Sequence, residues 1–155
     1  MPRTIIHERV AAADRGENPA VICRMSSGYL VLCDKQTQPG WCILLAVPVV
    51  DDLETLDAER QAGFLADMAA AGAALKKVTG AYRINYSILG NADPALHAHI
   101  QPRYADEPEA LRRQPLLAIW DQLTPIAFDA QRDAALKSQI KQELVAMDRC
   151  RLIAP

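Results

Sequence analysis

The stretch that decides the fold is LHAHIQPRY, residues 96–104. Apolar residues alternate with polar ones along it: Leu96, Ala98 and Ile100 against His97, His99 and Gln101. Such a period of two marks a strand buried on one face, with same-face side chains about 7 Å apart. Two of the chain's three histidines therefore stand in one row with a glutamine, and Pro102 is expected to end the pairing.

Working upstream, AYRINYSIL (81–89) alternates in the same way, with Tyr82, Ile84, Tyr86 and Ile88 opposing Arg83, Asn85 and Ser87. This reads as a half-buried strand with a polar face, joined to the first by the loop GNADPA (90–95). Before it, Phe64, Leu65, Met68, Leu75 and Val78 recur at helical spacing in an alanine-rich run, which predicts a long helix over 58–79. Asp57 is its N-cap and Gly80 its C′ residue. Earlier still, NPAVICRM (18–25), YLVLCD (29–34) and WCILLAV (41–47) read as three short strands, with Ser-Gly and Pro-Gly turns between them. Connections this tight imply an antiparallel meander rather than βαβ units.

After Tyr104 the texture changes. ADEPEALRRQ (105–114) is expected to be helical as far as Pro115, and LLAIWDQL (116–123) places Leu116, Ile119, Trp120 and Leu123 at helical spacing. Asp129 is expected to cap a last helix with Leu136, Ile140, Leu144 and Met147 on its apolar stripe. The expectation is an α+β fold: an antiparallel sheet of about five strands, a long helix and a C-terminal helical extension. It is expected to form one domain, with an N-terminal segment 1–19, a core 20–104 and an extension 105–155.

A formal net charge of −2 supplies no bulk field toward nucleic acid or an anionic membrane, so neither is expected as a partner. The sequence has no apolar run of bilayer length and no secretory h-region, and the cytoplasm is the expected compartment. Cys23, Cys33, Cys42 and Cys150 contain no C-x-x-C pair and read as reduced, small hydrophobes rather than a zinc knot.

Three readings compete for the histidine row. A metal site needs a third ligand, and His7, Asp34 and Asp93 have no motif spacing that provides one, so neither metal nor cofactor is expected. Both histidines could instead be satisfied polar groups on a solvated sheet face. The third reading is a histidine nucleophile attacking phosphorus, which splits one displacement into two. It needs one ring nitrogen free and the other holding its proton in a hydrogen bond, so that the tautomer is fixed. Gln101, Asn85, Ser87, Asn91 and loop N–H groups are suitable neutral donors for phosphoryl oxygens.

HAHIQPRY resembles the histidine triad motif, His-φ-His-φ-His-φ-φ, often extended by Pro-Arg. The likeness runs over about residues 20–104, through YLVLCDKQTQPGWCILLAVP, a long helix and an Asn-bearing strand in the family's order. It implies an antiparallel-sheet α+β fold, a homodimer, a nucleotide or dinucleotide substrate and a nucleotidyl-histidine intermediate. By this resemblance His99 is the nucleophile and His97 its support. Asp34 binds the ribose hydroxyls, Asn85 is the polar residue of the preceding strand, and Asn91 lies in the loop that contacts phosphate.

Two positions depart from the family pattern: Gln101 replaces the third histidine, and Asp51 stands near where many members carry another. Glutamine can hydrogen-bond a phosphoryl oxygen but cannot exchange a proton at neutral pH. The His-x-His-x-Gln form is similar to the family's transferase and phosphorylase branch. Hydrolysis of nucleotide conjugates such as dinucleoside polyphosphates is the expected activity. Transfer to phosphate and nucleotide binding without catalysis are the alternatives.

Overall fold

The computed structural model describes residues 3–151. In chain order the elements are α1 (Ile5–Asp14), β1 (Val21–Arg24), β2 (Gly28–Leu32), β3 (Lys35–Gln36), β4 (Cys42–Ala46) and α2 (Ala58–Thr79). They continue with β5 (Arg83–Ser87), β6 (His97–Arg103), α3 (Glu109–Arg112), β7 (Ile126–Ala127) and α4 (Ala134–Ala146). Five strands form one antiparallel sheet in the order β1-β2-β4-β6-β5, and β3 pairs separately with β7.

The two faces of this sheet are covered differently. Leu30, Leu32, Leu44, Ala98 and Ile100 pack against Phe64, Ala71 and Leu75 of α2 and Ile140 and Leu144 of α4. On the other face, Ile6, Val10 and Ala13 of α1 lie over Tyr29, Val31, Ile43 and Leu45. Leu116 and Ile119 cover Trp41 on that second face. The even-numbered residues of β6 thus serve the main core, and its odd-numbered polar row is left between α1 and the segment after Tyr104.

Helix α2 keeps its expected bounds: Asp57 accepts a hydrogen bond from the Arg60 N–H, and Gly80 closes the helix in the left-handed region at φ 71°. Its stripe differs in two places. Leu65 is exposed, whereas Asp67, spaced three from Phe64 and four from Ala71, is buried. The Asp67 Oδ2 accepts from both the N–H and the Oγ–H of Ser27 at 2.8 Å, tying the helix to the β1–β2 turn.

Other departures are local. Pro102 does not end β6; it stands opposite Ile84 of β5, and pairing continues to Arg103. Strand β4 pairs with β6 only as far as Ile100, so on that side the ladder has ended before the residue that lacks an N–H. The 105–123 segment is less helical than its spacing implies: α3 spans only four residues, followed by 3₁₀ turns at Leu116–Ala118 and Trp120–Gln122. A 3₁₀ turn aligns residues three apart, so Leu116 and Ile119 are buried together while Trp120 is exposed. Asp129 caps a turn, accepting from the Gln131 and Arg132 N–H groups, and Asp133 is the N-cap of α4. Met147 follows the last turn of α4 and is exposed.

Candidate active site

Register brings the polar row together. In β6, His97 stands opposite Leu45 and His99 opposite Ile43 of β4. On the other side, His99 faces Ser87 and Gln101 faces Asn85 of β5. The rings of His97 and His99 meet edge to face with centroids 5.0 Å apart. Trp41, just before β4, packs edge-on against His99 at 5.5 Å between centroids.

The two histidines carry their protons differently. Nδ1 of His97 lies 2.7 Å from the Ala95 carbonyl oxygen, which can only accept, so the proton is on Nδ1 and the lone pair on Nε2. Around His99 the roles are reversed. The Trp41 indole can only donate, and its Nε1–H points at Nδ1 of His99 over 3.2 Å. The neutral His99 ring therefore has its lone pair on Nδ1 and its proton on Nε2. The requirement set out for a nucleophile, an anchored N–H and a free second nitrogen, is met in this resting arrangement by His97 rather than His99.

Burial lowers the His99 pKa to about 4, with the His97 ring and the Arg9 guanidinium adding to the effect. His99 is thus uncharged across the neutral range. Beside it, the buried Gln101 Nε2 and Ser87 Oγ have no hydrogen-bond partner among the described residues. Orphaned polar atoms of this kind are rare in folded proteins. The Asn85 Oδ1 accepts from Arg103 Nη1 at 3.2 Å.

Asp34 lies in the turn after β2 with its carboxylate largely exposed and paired to Arg9 of α1. Asn91 sits exposed in the loop 88–96, where no hydrogen bond ties it to the row. His7 is committed to the start of α1, where Nδ1 meets the backbone N–H and hydroxyl of Thr4. Among the described residues, no three His, Cys, Asp or Glu side chains are grouped so as to hold a metal ion. Asp51 and His97 line a small cavity of about 290 Å³ with Glu54 and Leu89.

Arg103 is engaged by the protein itself. Its side chain is buried, Nη2 pairs with Glu107 at 2.7 Å, and Nη1 and Nη2 donate to the Gln114 and Leu111 carbonyls. It fastens the segment after Tyr104 to the sheet. Arg9 and Trp41 join Ser87, already a candidate donor, as neighbours of His99. Ser87 had a signal, the alternation of its strand; Trp41 had a weaker one in the parity of its own. Arg9 had none, because nothing in the sequence positions α1.

This α+β fold is shared with solved histidine triad proteins. Three of the solved structures similar to this chain are as follows. One from Marinobacter aquaeolei VT8 is 24% identical, with 94% of this chain and 98% of that chain covered at a TM-score of 0.70. One from Sinorhizobium meliloti 1021 is 24% identical, covering 84% and 94% at 0.68. A hypothetical histidine triad nucleotide-binding protein from Sulfolobus tokodaii strain 7 is 11% identical, covering 91% and 93% at 0.71. No protein-family model matches the chain, and no curated protein matches it.

Proposed function

We propose that this chain belongs to the histidine triad superfamily and acts on the α-phosphate of nucleotide conjugates, with dinucleoside polyphosphates as the model substrates. The observation that carries the reading is an uncharged, partly accessible His99 set beside two unpartnered buried polar atoms, Gln101 Nε2 and Ser87 Oγ. Phosphoryl oxygens complete the hydrogen bonding of Gln101, Ser87 and the Asn85 amide. Nε2 of His99 attacks phosphorus, a P–N bond forms, and the leaving group departs with the electron pair of its P–O bond. Attack through Nε2 requires the ring proton to be on Nδ1, so the Trp41 bond is released or bypassed first. An oxygen of water or of an anionic phosphate then attacks phosphorus and the P–N bond breaks, returning the lone pair to His99. Asp34 and Arg9 border the ribose side, Asn91 the loop side, and the homodimer is the working unit.

The experiment is acid-free quenching of the full chain after mixing with diadenosine tetraphosphate, followed by intact-mass measurement. An added nucleotidyl mass that is lost in His99→Ala supports the reading, and cleavage without any adduct overturns the covalent step. A second reading, nucleotide binding without chemistry, is favoured by the Trp41–His99 bond, because an Nε2–H donates to a phosphate oxygen instead of attacking phosphorus. Saturable nucleotide binding with neither adduct nor turnover selects it.

A further inference from the structure

A second hollow, about 500 Å³ in volume, opens beside β5. Arg83, Asn85, Arg103, Arg112 and Arg113 line it, together with Glu109. Its charges are only partly balanced. Arg103 is met by Glu107 at 2.7 Å, and Arg113 by Glu109 at 2.6 Å. Among the described residues, Arg112 donates only to the Ala105 carbonyl, with its guanidinium 6.0 Å over the Tyr82 ring. Arg83 has no hydrogen-bond or ion-pair partner among the described residues, although it stands directly opposite Arg103 in the sheet. Like charges opposed across a ladder are unfavourable, so packing alone does not account for a cation there. Two uncompensated guanidiniums facing one hollow fit an oxyanion of the phosphate type, which arginine recognises through paired N–H donors.

One residue links the histidine row to the hollow. Asn85 lines it and is the register partner of Gln101, while Ser87, one step further along the same face of β5, is the partner of His99. Arg83 lies two such steps from Ser87, about 13 Å along the strand. A single phosphate cannot touch His99 and Arg83 at once, whereas a chain of several can. Resting on the reading of the preceding subsection, we propose that Arg83 and Arg112 form a subsite for the distal phosphates of a substrate whose first phosphate lies at His99. This selects ligands with an extended phosphate chain over nucleoside monophosphates.

The test is calorimetric titration of the full chain with AMP, ATP and inorganic tripolyphosphate at fixed ionic strength without divalent cations. Arginine Nε–H NMR signals are followed in parallel. ATP is expected to bind about tenfold more tightly than AMP. That advantage is expected to vanish in Arg83→Gln/Arg112→Gln, provided its amide spectrum shows an intact fold. Arg83→Lys is expected to restore part of it. Equal AMP and ATP affinities, or an advantage that survives the double substitution, overturns the proposal. If neither nucleotide binds, the nucleotide reading fails, and tripolyphosphate still decides the subsite: saturable shifts at Arg83 and Arg112 support it, and their absence overturns it. Repeating that titration in His99→Ala separates the hollow from the histidine row, because distal-phosphate binding is expected to persist there.

Discussion

The indole N–H of Trp41 donates to Nδ1 of His99 over 3.2 Å, and this bond determines which nitrogen of the ring carries the proton. Indole has no acceptor, so as long as the contact holds, neutral His99 is the Nε2–H tautomer. His97, whose Nδ1–H is anchored on Ala95 O, is the opposite tautomer.

Trp41→Phe removes the donor while keeping a large ring over Leu116 and Ile119, which alanine would not. Long-range ¹⁵N–¹H correlation spectra are expected to show His99 protonated on Nε2 in the parent and shifted toward Nδ1–H in the variant. A net hydrogen bond of about 1 kcal/mol corresponds to roughly a fivefold change in tautomer ratio. Formation of the nucleotidyl adduct is expected to accelerate by a similar factor. A parent His99 already protonated on Nδ1 contradicts the assignment.

The depressed pKa of His99 has a defined consequence for stability. In the unfolded chain the ring protonates near 6.5, in the folded chain at about 4, so between these values the unfolded state binds more protons. The contribution of His99 is fully present above pH 6.5 and falls progressively as the pH drops to about 4, by roughly 3 kcal/mol. Denaturant midpoints measured from pH 7 to pH 4 are expected to decline less steeply in His99→Ala. Parallel declines would show that the ring titrates normally.

Arg103 and Glu107 form a buried pair that holds the segment after Tyr104 on the sheet. Removing one partner leaves the other charge buried and alone, and Arg103→Met is expected to cost about 3–5 kcal/mol. Arg103→Met/Glu107→Leu is expected to recover much of this, because no isolated charge remains. Chemical denaturation gives the magnitudes. Hydrogen exchange over residues 105–120 is expected to rise most in the single variant, and uniform exchange across the chain would show that the pair does not clamp this segment.

Much of this arrangement was legible because it rests on local periodicity. The alternation in LHAHIQPRY and AYRINYSIL orients His97, His99, Gln101 and Asn85 without any tertiary information. The cap residues Asp57 and Gly80 likewise act within their own helix. What escaped depends on contacts distant in sequence. Asp67 is buried on an otherwise apolar stripe because Ser27 supplies two donors. Leu116 and Ile119 meet Trp41 in a 3₁₀ geometry that their spacing does not distinguish from an α-helix. The Trp41–His99 bond joins residues 58 apart, and no motif describes it.

Gln101 is where substrate fate is decided in the proposed reaction. Its amide is buried, its Nε2 lacks a partner, and it has no group that exchanges a proton near pH 7. Water attacking a nucleotidyl-histidine gains from a general base, whereas an anionic phosphate does not. Gln101→His places a titratable nitrogen on the same face, one strand step from His99. With diadenosine tetraphosphate and added phosphate, the ratio of hydrolysis to phosphorolysis products is expected to rise by about tenfold or more. Product analysis by ion-pair chromatography reads the ratio directly, and comparison of adduct yields separates this step from adduct formation. An unchanged ratio with normal adduct formation would mean that the third position of the row does not choose the acceptor.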